Sequence, residues 1–186
     1  MKRLQRMLAK GLALWACWAA ASASAMDQAW VSWVMDGDTV LLLPEGEHEP
    51  VKFRIQGIDA PESCQPGGEA SRDALIARVL RRTVRIEAHG HDSYGRRLGR
   101  LFADDQDVGA EMVRSGQAWA WSHRVGRGPY AALQREAEHS RRGLFASSQT
   151  AMSPGVFRQF HGPCHLDGTD QAPVQRVPHT GQAGSR

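Results

Sequence analysis

Three short polar clusters in this 186-residue chain hold the side chains best suited to chemistry: Asp36-Gly37-Asp38, the run from Arg54 to Glu62 with Asp59 inside it, and Asp92-Ser93-Tyr94-Gly95-Arg96. Taken singly, each is ordinary turn chemistry, because Asp, Gly and Pro are what turns select. Taken together, they supply the parts for metal-assisted cleavage of a phosphodiester. Asp38 and Asp59 offer carboxylate oxygens to a hard cation such as Ca²⁺, and a backbone carbonyl near Asp59 with several waters would complete its shell. No thiolate or imidazole falls within these clusters, which argues against Zn²⁺ there. Glu62 follows the rigid Pro61 and sits three residues beyond Asp59, where it can orient or deprotonate an attacking water. Arg54 and Arg96 can each donate two parallel hydrogen bonds to phosphate oxygens, which a lysine cannot. Two guanidiniums and a metal would then meet the charge that builds up on the phosphoryl oxygens.

These clusters need elements to carry them. Trp30 to Met35 reads as a strand and Thr39 to Leu43 as a second, joined by the Asp-Gly turn that favours a hairpin. Val51, Phe53 and Ile55 alternate with Lys52, Arg54 and Gln56, the period of a half-buried strand that puts Arg54 on the polar side. Glu69 to Arg82 has the apolar stripe of a helix in Leu75, Ile76, Val79 and Leu80. Thr83 to Glu87 and Arg97 to Ala103 read as two more strands. Asp107 can cap a short helix through Val113, which Gly116 closes. A third helix is expected from Pro129 to Gly143. Five short strands with interleaved helices suggest an α+β fold, a five-stranded OB-type barrel with three helices.

The ends are different in kind. Lys2, Arg3, Arg6 and Lys10, the apolar run Gly11 to Ala21, and Ala23-Ser24-Ala25 form a signal-peptide pattern over residues 1–25. The run is too short to span a bilayer, so the expectation is a cleaved leader, a periplasmic or secreted protein and no stable membrane association. A lipoprotein reading of Leu14-Trp15-Ala16-Cys17 leaves only a short apolar run before the cysteine. Four of the 23 basic residues and none of the 20 acidic ones lie in the leader, so the mature chain has a formal charge of −1. Global charge therefore gives no argument for nucleic acid. The stretch from Arg72 to Arg100 does, with eight Arg against Asp73, Glu87 and Asp92. Cys64 and Cys164 remain after the leader, and an oxidising compartment invites a disulfide between them. The domain is expected over 27–147. Residues 148–186 lose periodicity and are expected to be a largely disordered extension, with Phe157 and Phe160 as possible docking points.

The motifs DGDT (36–39), RIQGIDAPE (54–62) and DSYGR (92–96), in this order and spacing, resemble the staphylococcal nuclease (thermonuclease) family. VRSGQAWAW (113–121) and RRGLFA (141–146) fit that family's later segments. The resemblance implies an OB-fold barrel with three helices and Ca²⁺-dependent hydrolysis of DNA and RNA with a 5′-hydroxyl leaving group. It implies that Arg54 and Arg96 bind phosphate, Glu62 is the catalytic glutamate, and Asp38, Asp59 and the Ala60 carbonyl bind metal. Asp36 then lies close to the metal, and Tyr94 contacts nucleotide phosphate. Ala60 stands where the best-known member has Thr, and Lys52 is the one lysine outside the leader. Trp119 and Trp121, two apart, offer an aromatic face for a base or for the core. Two competing readings are a module of this fold that binds nucleic acid without cutting it, and a generic OB-fold binder of oligonucleotides or saccharides. Nothing in the sequence suggests more than a monomer.

Overall fold

The computed structural model describes residues 28–121, 128–147, 151–162 and 164. Residues 1–27 and 165–186 lie outside the described residues, and so do the expectations placed on them. Alternation builds the barrel. β1 (Gln28–Val34) buries Ala29, Val31 and Val34, and β3 (Val51–Ile55) buries Phe53 and Ile55 while turning Lys52 and Arg54 outward. Strand β2 (Thr39–Pro44) lies between them, antiparallel to both. β5 (Thr83–His91) pairs with β1 and with β6 (Arg97–Ala103), again antiparallel. The barrel is closed by a parallel seam between β3 and β6, in which Arg54 is opposite Leu98. Five strands closed in this way, with helices outside, form the expected OB-type α+β architecture.

Helix α1 (Gly68–Val79) packs Leu75 and Val79 into the same core as β1, and α2 (Val108–Arg114) adds Val108, Met112 and Val113. Asp107 does cap α2, accepting the Ala110 N–H at 3.1 Å. Its other carboxylate oxygen accepts from the Tyr130 hydroxyl at 2.8 Å and from Arg100 Nη2 at 2.6 Å. Burial, then that bond to Asp107, pushes the Tyr130 phenol up to about 12. Tyr130 leads into α3 (Ala131–His139).

The boundaries differ from expectation for local reasons. α1 stops at Val79, not Arg82, because Arg81 takes a left-handed conformation (φ 59°) and Thr83 already belongs to β5. α3 begins at Ala131 rather than Pro129 and ends at His139, well before Gly143. Strands β4 (Ile58–Asp59), β7 (Gln106–Asp107) and β8 (Trp119–Ala120) have two residues each, too few for a period to show. A fourth helix, α4 (Pro154–His161), stands in the extension where no lasting structure was expected. Pro154 and Phe157 are buried in its docking face, while Phe160 stays exposed.

Candidate active site

The three polar clusters meet at one open cleft of about 690 Å³, lined by Asp36, Asp38, Arg54, Asp59, Glu62 and Arg96 among others. Each arrives by a different local device. Asp38 comes from the β1–β2 turn. There Gly37 is required by close approach, because a Cβ at that position would stand 1.9 Å from Ser71 Oγ on α1. Arg54 is on the outward face of β3. After it, Gly57 turns the chain with φ +84°, against the Tyr130 ring, and delivers Asp59 into β4, which pairs with β8 through Asp59 and Trp119. Asp92 and Arg96 bracket the β5–β6 turn, where Gly95 N–H reaches back to the Asp92 carbonyl at 3.1 Å.

The floor of the cleft is a buried charge cluster. Asp38 Oδ2 accepts the Ala60 N–H at 2.7 Å, and Oδ1 accepts the Thr39 hydroxyl at 2.9 Å. Ala60 thus engages Asp38 through its amide. Arg54 Nη2 lies 2.9 Å from Asp38 Oδ2 and 3.2 Å from Asp59 Oδ1, and Nη1 donates to the Ile55 carbonyl at 3.0 Å. One cationic nitrogen therefore bridges the two aspartates. Asp36 Oδ1 accepts the Asp38 N–H at 3.0 Å. Burial first, then the neighbouring Asp38 charge, pushes Asp36 up to about 8. Asp59 is raised as well, by burial and by Asp38, against the lowering effect of Arg158 and Arg54.

The outer side is more open. Arg96 Nε donates to Asp92 Oδ2 at 2.6 Å, and its guanidinium lies 5.4 Å from the Tyr94 ring centroid. Its terminal nitrogens meet no carboxylate among the described residues. Tyr94 is 83% exposed. Burial alone would raise Asp92, but the Arg96 side chain and the Arg96 and Tyr94 amides hold it below the usual carboxylate range. Trp121 also lines the cleft, while Trp119 meets Phe145 edge-on with centroids 5.9 Å apart. Among the described residues, no group of three or more His, Cys, Asp and Glu side chains forms a metal site. No helix among them is long and apolar enough to cross a membrane.

One residue of the site was not anticipated. Arg158, on α4, donates through Nη1 to Glu62 Oε1 and through Nη2 to Asp59 Oδ2 at 3.1 Å. Burial would lower its basicity, but its hydrogen bonds to Glu62 and Asp59 outweigh that and raise it. The helix is brought there by a disulfide. Cys64 and Cys164 are joined, with Cα atoms 5.7 Å apart across a sequence separation of 100. Gln65, buried, adds a second tie: its Oε1 accepts the Glu62 N–H at 3.2 Å and its Nε2 donates to the Met152 carbonyl at 2.6 Å. The signal for Arg158 was present in the cysteines, since Cys64 lies two residues past Glu62 and Cys164 six past Arg158. On α4, His161 stacks on Phe157 with ring centroids 4.2 Å apart.

The sequence model of the family described as staphylococcal nuclease homologue matches residues 52–147. The chain belongs to that family. It is 34% identical over 126 residues to an uncharacterized endonuclease of Escherichia coli O157:H7, covering 67% of this chain and 80% of the relative. An uncharacterized endonuclease of Haemophilus influenzae is 32% identical over 126 residues, covering 68% and 70%. A probable staphylococcal-like nuclease of Oryza sativa subsp. japonica is 33% identical over 98 residues. That match takes in 53% of this chain but only 30% of the plant protein. The staphylococcal nuclease homologue match begins after Asp38 and ends before α4, so two parts of the cleft wall lie outside it.

Proposed function

We propose that this chain is an exported, Ca²⁺-dependent nuclease that hydrolyses the phosphodiester bonds of DNA and RNA without selecting the sugar. The observation that carries the reading is the convergence of Asp38, Arg54, Asp59, Glu62 and Arg96 on one open cleft from three separate segments. The relatives' names, endonuclease and nuclease, support it.

The donor set fits a hard cation. Asp38 and Asp59 are both oxygen donors, and the single Arg54 nitrogen between them marks a place where positive charge is held. Two side-chain ligands leave the remaining positions to the Ala60 carbonyl, water and substrate, a division that divalent cations bound at phosphate sites accept. When bound, the cation would supply Lewis-acid stabilisation of the phosphoryl oxygens. Glu62 takes a proton from the attacking water as the water oxygen bonds to phosphorus. The bond from phosphorus to the 5′-oxygen breaks, and that oxygen leaves as a hydroxyl after protonation by solvent. Arg96 meets the phosphate with its terminal nitrogens, and Tyr94 stands beside it at the cleft mouth.

Export rests on the leader pattern and on Cys64–Cys164, a bond that persists in oxidising compartments. The test is cleavage of single- and double-stranded DNA and RNA by the mature protein, with Ca²⁺ or with chelator. Cleavage of all four that stops with chelator is expected. Binding without cleavage under every divalent cation would replace the enzyme with a binding module.

A further inference from the structure

Glu62 is carried by a loop, and a glutamate has three side-chain torsions to fix before its carboxylate can face a water. Among the described residues, one side chain is hydrogen-bonded to that carboxylate: Arg158. The same guanidinium also binds Asp59, so it spans the two carboxylates and sets their spacing. Among the described residues, only Oε1 of Glu62 is engaged. Oε2 has no protein partner among the described residues and remains free to accept a proton.

The support behind Arg158 is built rather than incidental. Pro154 and Phe157 bury one face of α4, the Gln65–Met152 bond ties its approach, and the disulfide fastens its far end two residues from Glu62. We propose that Arg158 is a positioning residue of the nuclease site, holding the Glu62 carboxylate over the cleft floor from a helix outside the segment that the family match covers. The role rests on the nuclease reading above.

It is tested by Arg158→Ala and Arg158→Lys, each alone and combined with Glu62→Gln. Positioning acts on turnover, so Arg158→Ala is expected to lower kcat about 10²-fold, the scale of a catalytic group displaced by an ångström, with KM within a few-fold. Arg158→Lys and added guanidinium ion each recover part of the loss. In the Glu62→Gln background, Arg158→Ala costs less than about threefold, because there is no base left to position. If Arg158→Ala does not fold, Arg158→Lys carries the same kcat-against-KM comparison.

Unchanged or increased activity in Arg158→Ala would mean that α4 is a brace or a latch. Raised KM at unchanged kcat would make Arg158 a substrate contact, and an equal loss in both backgrounds would separate it from Glu62. Each of these overturns the role and leaves the nuclease standing. A wild type that cuts nothing overturns both.

Discussion

The floor and the rim of the cleft are built by opposite means. On the floor, Asp38, Asp59 and Arg54 come from strands or strand ends, are nearly inaccessible, and hold one another through several donors each. On the rim, Glu62, Arg96 and Arg158 stand on a loop, a turn and a tethered helix, and Tyr94 projects into solvent. A floor of this kind resists rearrangement, because any charge left unpaired there is costly. A rim of this kind can exchange a carboxylate partner for a phosphate. Stability should therefore track the floor, and turnover the rim.

Several substitutions can break that division. Glu62→Gln keeps the side chain's size and should lower kcat by about 10²–10⁴-fold, the contribution of a general base, with an unchanged melting temperature. A large loss of stability instead would move Glu62 to the floor. Asp38→Ala removes the partner of Arg54, Thr39 and the Ala60 amide together. It should cost about 1–3 kcal/mol in urea unfolding as well as activity, because the buried Thr39 hydroxyl and Ala60 amide lose their acceptor while Arg54 keeps Asp59. Cys164→Ser should cost up to about tenfold in kcat, less than Arg158→Ala, because Phe157 and Gln65 still hold α4. A drop in kcat equal to that of Arg158→Ala would show that the disulfide alone docks the helix.

The smallest effect is at Asp92, whose folded pKa is depressed. Such a group adds stability that is present above the unfolded value near 3.9 and is lost as pH falls through the folded value. Asp92→Asn should thus melt lower than wild type at neutral pH, by at most about 1 kcal/mol, and the two curves should converge at strongly acidic pH. A gap that widens in acid would reverse the sign.

Much of this arrangement was legible in the residues. The alternation around Phe53 and Ile55 placed β3 and turned Arg54 outward, and Asp-Gly placed the turn that holds Asp38. Asp107 announced α2 by capping chemistry. What stayed hidden depended on distance. Two-residue strands such as β4 carry no period, so nothing local showed that Asp59 pairs opposite Trp119. α4 has only eight residues in a stretch rich in Pro and Gly, and its order comes from docking, not from its own propensity. The contact of Arg158 with Glu62 spans 96 positions, beyond any local pattern.

The parallel seam between β3 and β6 has a consequence for how the chain folds. It joins segments far apart in sequence, and it sets Arg54 beside the strand that begins directly after Arg96. Before that loop closes, the two arginines belong to unrelated pieces of chain. A slip of one residue along the seam would turn Arg54 toward the core and Phe53 toward water. Closing the barrel along this seam is thus also what brings the two guanidiniums into one cleft.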